Sequence, residues 1–108
     1  MTTKEFTDLA LSFPGTEDAP HFDRTAFKVV KKRIFATLHE PSQTANVKLS
    51  PPEQKTFCKF DKKVMYPIAN KWGLQGWTTI ELKTAPPELV REALETAYQD
   101  VFKKASKK

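Results

Sequence analysis

Along this chain of 108 residues the apolar positions switch between a period of 3.6 and a period of 2, and that alternation restricts it to a mixed helix-and-strand fold. Thr2-Thr3-Lys4-Glu5 has the hydroxyl and carboxylate spacing of a capping box. Phe6, Leu9, Ala10 and Phe13 then recur at helical spacing until Pro14-Gly15 stops the helix. Thr16–Pro20 reads as an acidic turn. From Thr25 the period becomes two: Phe27 and Val29 alternate with Ala26 and Lys28, and Ile34, Ala36 and Leu38 alternate with Phe35, Thr37 and His39. Lys31-Lys32-Arg33 interrupts the two runs, which makes them a hairpin. The link lacks Asn-Gly or Asp-Gly, so its turn type stays open. A second turn at Glu40–Gln43 leads to a strand through Val47 and Leu49.

Ser50-Pro51-Pro52-Glu53 opens a second helix, with Ser as cap, Pro in the first turn and Glu to close the box. That helix should turn Phe57, Cys58 and Phe60 inward and end near Asp61. Val64-Met65-Tyr66 is a short strand cut off by Pro67, and Asn70–Gly76 reads as a loop. Trp77–Leu82 alternates strongly, with Thr78, Ile80 and Leu82 on one face. Pro86-Pro87-Glu88 starts a final helix to about Lys104, its apolar stripe formed by Leu89, Val90, Ala93, Leu94, Ala97 and Val101. Residues 103–108 are expected to form a frayed basic tail. The expectation is one domain over residues 1–108: an α+β two-layer sandwich on an antiparallel five-stranded sheet, helices on one face, in the order α-β3-α-β2-α. Its inner sheet face would carry Ile34, Leu38, Val47, Leu49, Ile80 and Leu82. The outer face would carry Lys28, Phe35, Thr37, Lys48, Trp77 and Thr79.

Charge is distributed as unevenly as hydrophobicity. Residues 1–23 sum to −4, residues 24–71 to +8 and the remainder to +1, for a net +5 and a pI near 9.4. A dipole of that size in one small domain suits a negatively charged partner such as nucleic acid. The single Cys58 excludes an internal disulfide, and one thiol without spaced His or Cys cannot build a zinc cage. No basic-then-apolar leader opens the sequence and no apolar run is long enough to span a bilayer, so a cytoplasmic protein without a membrane partner is expected. No nucleophile–base pair, metal set or phosphate-binding loop is visible, which argues against an enzyme and against a cofactor.

Three groups of residues could carry binding. Lys31, Lys32 and Arg33 sit on a hairpin tip from which they could reach phosphates, and Arg33 could also fork onto guanine. In the segment Asn70–Trp77, Asn70, Lys71 and Gln75 could donate to phosphates or base edges. Trp72 and Trp77 could stack on bases, pack against Arg24 or plug the core edge. Lys28 and Lys48 extend the positive charge across the outer sheet face, where Phe35 and Trp77 would form a stacking platform unless loops cover them, and Arg24 is a further candidate cation for the DNA. The bland readings are a solvated turn and a structural tryptophan plug. His21 suits a hydrogen bond that orders its turn. Glu17, Asp18 and Asp23 suit ordinary surface charge better than a metal ridge.

Two segments together carry a family resemblance. Pro20-His21-Phe22-Asp23-Arg24-Thr25-Ala26-Phe27-Lys28-Val29, followed by Arg33-Ile34-Phe35-Ala36-Thr37-Leu38, resembles the first signature of the MmcQ/YjbR family, and Trp72-Gly73-Leu74-Gln75-Gly76-Trp77-Thr78 resembles its second. Thr25 stands where Pro is frequent, and Lys31-Lys32-Arg33 occupies a turn that often carries Gly. The resemblance implies a CyaY-like, secretion-chaperone-like α+β fold. It also implies DNA binding through two β-hairpin wings. The functional expectation is a monomeric module that holds duplex DNA by its phosphate backbone with little sequence preference. The alternative is an adaptor that binds an acidic protein and ignores DNA.

Overall fold

The structure, a computed structural model, describes residues 1–106. It is an α+β fold with an open antiparallel sheet. In chain order the elements are α1 (Thr3–Ser12), β1 (Thr16–His21), β2 (Arg24–Val29), β3 (Ile34–His39), β4 (Thr44–Lys48), α2 (Pro51–Cys58), β5 (Met65–Pro67), α3 (Lys71–Leu74), β6 (Trp77–Glu81) and α4 (Pro87–Ser106). The sheet runs β1-β2-β3-β4-β6-β5. It therefore has six strands, not the five expected, and the order α-β3-α-β2-α gains a strand before β2 and a short helix before β6. Both capping boxes form: Thr2 with Glu5 on α1, and Ser50 with Glu53 on α2.

The added strand is the acidic segment read as a turn. Thr16–His21 pairs along its whole length with Arg24–Val29, although almost none of it is buried. An edge strand needs no apolar alternation, because its ladder to one neighbour supplies the pairing and its charges discourage further strand addition. Pro20 is tolerated there for the same reason. Glu17 lies opposite Lys28 and forms an ion pair with it at 3.4 Å.

The face assignment holds except at one place. Ala36 faces Phe27, but Ile34 rather than Phe35 faces Lys28. Phe35 is therefore the extra residue of a β-bulge, which re-aims side chains locally. It turns to the helix side, fully buried, against Phe13 (6.3 Å between ring centroids) and Tyr98 (5.6 Å). Ile34, expected beneath the helices, shares the outer side with Lys28, Lys48 and Trp77. The bulge removes Phe35 from any outer-face stacking platform.

The core lies where α1 and α4 meet the sheet. Phe6 meets Phe27 edge-on at 5.8 Å, and Phe13 stacks on Tyr98 at 4.7 Å. Leu38, Val47, Leu49, Ile80 and Leu82 are all fully or almost fully buried in the same cluster as Val90, Leu94 and Ala97 of α4. Helix α2 buries no residue completely: Phe57 and Cys58 pack partly against the core, whereas Phe60, expected inward, is exposed. Burial pushes the Cys58 thiol above its usual range. Residues 103–106, expected in a frayed tail, continue α4, and residues 107–108 lie outside the described residues.

On the outer sheet face, Tyr66 donates its hydroxyl to the Glu81 carboxylate, and Thr79 donates to Asn46 at 2.8 Å. The hydrogen bond to Glu81, then burial, then the carboxylate's charge push the Tyr66 phenol up to about 12. Because the raised value favours the neutral phenol in the folded chain, this contribution to stability is complete below pH 10 and is lost as pH rises through 12. A near-ultraviolet phenolate titration should show a late step that Tyr66→Phe removes and Glu81→Gln moves to lower pH.

Candidate functional site

The β2–β3 turn and the segment before β6 are separated by about forty residues in sequence, yet they open onto one cleft. Register explains the convergence. Lys48 pairs with Trp77, so the ends of β4 and β6 lie side by side, and the β2–β3 hairpin turns at the same end of the sheet. The cleft has a volume of about 930 Å³ and is lined by Lys28, Lys31, Lys32, Arg33, Ile34, Lys48, Trp72, Gln75 and Trp77, with Asp100 and Val101 of α4 at one end. Seven of the ten binding residues expected from sequence are in this lining.

The cations differ in freedom. Lys31 and Arg33 are exposed and have no partner among the described residues. Lys31 adopts a positive φ of 66°, so the tip turns tightly without glycine. Lys32 does not project outward with them. It donates to the Phe102 carbonyl at 3.3 Å and lies 4.5 Å from the Phe102 ring centroid. The hydrogen bond and the cation–π contact tie the tip to α4, where Phe102 is itself stacked on Tyr98. Lys28 is held by Glu17, and Lys48 donates to the Leu49 carbonyl at 3.1 Å.

The opposite wall is built on α3 rather than on an irregular loop. Asn70 caps this single turn, its side-chain oxygen accepting from the Trp72 amide at 2.8 Å. Two glycines let the turn sit tightly on the sheet. A Cβ at Gly73 would overlap the Ile68 carbonyl, and one at Gly76, whose φ is +111°, would overlap the Leu49 carbonyl. Their role is backbone packing within the fold. Gln54 of α2 completes the support by donating to the carbonyls of Gly73 (2.9 Å) and Trp77 (3.1 Å). Trp72 is left half exposed and Trp77 is half-buried.

Three expected binding residues lie outside the lining. Arg24 is at the far end of β2, where it reaches Thr37 at 3.5 Å and borders a small depression with Asp18, Ala19, Pro20 and Thr25. Asn70 is occupied in capping α3. Lys71 is exposed at the start of that turn and does not line the cleft. Conversely, Ile34, Asp100 and Val101 line the cleft without having been expected there. Ile34 was concealed by the bulge. Nothing in the sequence places the end of α4 beside residues 31–33.

A separate polar network joins two turns at the other end of the sheet. His39 contacts Asp23 at 3.2 Å through Nε2 and Ser42 Oγ at 2.6 Å through Nδ1. The order carboxylate–imidazole–hydroxyl has the outline of a hydrolytic triad, but the amides that an oxyanion would need are already used. Ser42 donates its amide to His39 Nδ1 and Gln43 donates its own to Glu40. The network clamps the Phe22-Asp23 turn to the Glu40–Gln43 turn. His39, not His21, orders this region; His21 contacts the Phe22 ring. Among the described residues no group of three or more His, Cys, Asp or Glu could hold a metal ion, and no helix is long and apolar enough to cross a membrane.

Comparison with known structures finds the same fold elsewhere. A Deinococcus radiodurans protein with a DUF419 domain superposes with a TM-score of 0.82 at 22% identity, over 96% of this chain and 80% of that one. A Pseudomonas syringae protein superposes with a TM-score of 0.70 at 16% identity, over 94% of this chain and 99% of the other. No curated protein matches the sequence. The YjbR family model matches residues 11–100, from the end of α1 into α4 and across every strand, so the chain belongs to the YjbR family.

Proposed function

We propose that this chain is a small DNA-binding protein that grips the phosphate backbone with little sequence preference. The observation that carries this reading is the convergence of Lys28, Lys31, Lys32, Arg33 and Lys48 on one cleft. Cations brought together in this way neutralise neighbouring phosphates and release condensed counterions, an affinity that does not depend on sequence. The charge excess of +8 over residues 24–71, the span that contains all five of these cations, supports the same reading by attracting a polyanion. The half-buried, unpaired Cys58 and the basic surface suit a DNA partner in the cytoplasm. In this arrangement the β2–β3 turn is one wing and α3 with its flanking segment is the other, while the helix layer supports the sheet from behind.

Changing Lys31 and Arg33 together to Ser tests the proposal cleanly, because both are exposed and neither holds the fold together. Stability should change by no more than about 0.5 kcal/mol. Duplex affinity should fall alike for all sequences, and the slope of log affinity against log salt should shrink by up to about 1.8, at about 0.9 per lost phosphate contact. A folded variant that binds duplex as the parent does, with the same slope, would leave an acidic protein as the better partner.

A further inference from the structure

The two tryptophans of this chain both line the cationic cleft, and their placement suits a different ligand surface from the exposed lysines. Building on the DNA reading, we propose that the cleft takes single-stranded DNA, with an unpaired base stacked between Trp72 and Trp77 and the flanking phosphates on Lys31, Arg33 and Lys48. A duplex presents its phosphates on a convex surface and keeps its base faces stacked on one another. It meets the exposed rim but offers nothing to an indole face or to the half-buried Lys28 and Lys48 on the cleft floor. A single strand can splay a base out of the stack, and every base has a π-face for an aromatic ring whatever the sequence.

Size agrees with that occupant. A cleft of about 930 Å³ is within the range of about 300–1,000 Å³ typical of small-ligand sites, room for a nucleotide or two. The walls are also set before binding. Gln54 fixes the backbone carbonyls of Gly73 and Trp77, and the opposite tip is held by Lys32 on Phe102. Backbone already held in place loses little further freedom when a ligand enters the cleft. Gln75 lies in the lining with an exposed side-chain amide that can meet a base edge.

Because no tryptophan lies elsewhere, tryptophan emission excited selectively beyond the tyrosine band reports on this cleft alone. The test titrates the protein with a thymine oligomer of about 12 nucleotides, a length within the site sizes of single-strand binders. Two controls are a duplex of the same length and a base-free phosphodiester strand of the same charge, all at one salt concentration. The thymine oligomer should bind at least about tenfold more tightly than either control, a difference expected from stacking one to two bases, and should alone quench the emission. Trp72→Ala should weaken thymine-oligomer binding roughly 5- to 150-fold and abolish most of the quenching, whereas Trp72→Phe should retain most of the affinity. If that alanine variant does not fold, the thymine and base-free strands still decide the matter on the unaltered protein. Equal binding of the two strands without quenching overturns the stacking proposal and leaves the phosphate reading standing. Absence of salt-dependent binding to all three ligands overturns both.

Discussion

Gly76→Ala should destabilise the protein by about 2–6 kcal/mol, the sum of roughly 1–3 for backbone strain and 1–3 for overpacking. Its φ of +111° lies outside the left-handed region that a residue with a Cβ occasionally visits. The added methyl would also overlap the Leu49 carbonyl, which is backbone and cannot rotate away. That segment is held in place from two sides: the Leu49 amide donates to the Gly76 carbonyl at 3.1 Å, and the Leu49 carbonyl accepts from Lys48. Relief would require α3 to lift from the β4–α2 junction, carrying Trp72 away from Trp77. Against a typical total stability of about 5–15 kcal/mol, the loss should be plain in a urea melt. A loss below about 1 kcal/mol would mean that the junction yields, and the cleft would then not be the preorganised site described above.

Leu49→Ala and Ile80→Ala should each cost about 2–5 kcal/mol. Both side chains are fully buried in the cluster formed by the sheet and α4, where neighbouring side chains can collapse only partly into the space left by truncation. The matched control is Thr79→Ala, one residue along β6 on the outer face, where a single partly buried hydrogen bond to Asn46 is lost. Its cost should be about 0.5–1.5 kcal/mol. A larger loss at position 79 than at position 80 would mean that the two sheet faces are assigned the wrong way round.

The parts of the fold that were legible from sequence are those whose signal is local. The capping boxes at Thr2–Glu5 and Ser50–Glu53 formed as spaced, since each is complete within four residues. Leu38, Val47, Leu49, Ile80 and Leu82 are buried as their alternation requires. Strand β1 was missed because its edge position removes the demand for apolar residues on which alternation depends. Helix α3 was missed because one turn is too short for a 3.6 period to show. Of the candidate site, the two basic or aromatic segments were visible as motifs. Arg24, Asn70 and Lys71 have the same chemistry as the lining residues, and only their positions in space exclude them from the cleft.

The sequence by itself determined a mixed α+β domain, the helices with their caps, most of the buried face, and a concentration of positive charge over residues 24–71. These follow from side-chain period, capping chemistry and composition, all of which act between near neighbours along the chain. Tertiary structure alone decided that Phe35 turns inward and Ile34 outward, because a bulge is defined only against the partner strand. It decided that Lys32 bends back onto Phe102, seventy residues away. It also decided that Lys28, the 31–34 tip, Lys48, Trp72, Gln75, Trp77, Asp100 and Val101 share one cleft. That convergence depends on β4 pairing with β6 and on the order β1-β2-β3-β4-β6-β5, which is selected by burying all the apolar faces at once and not by any one segment.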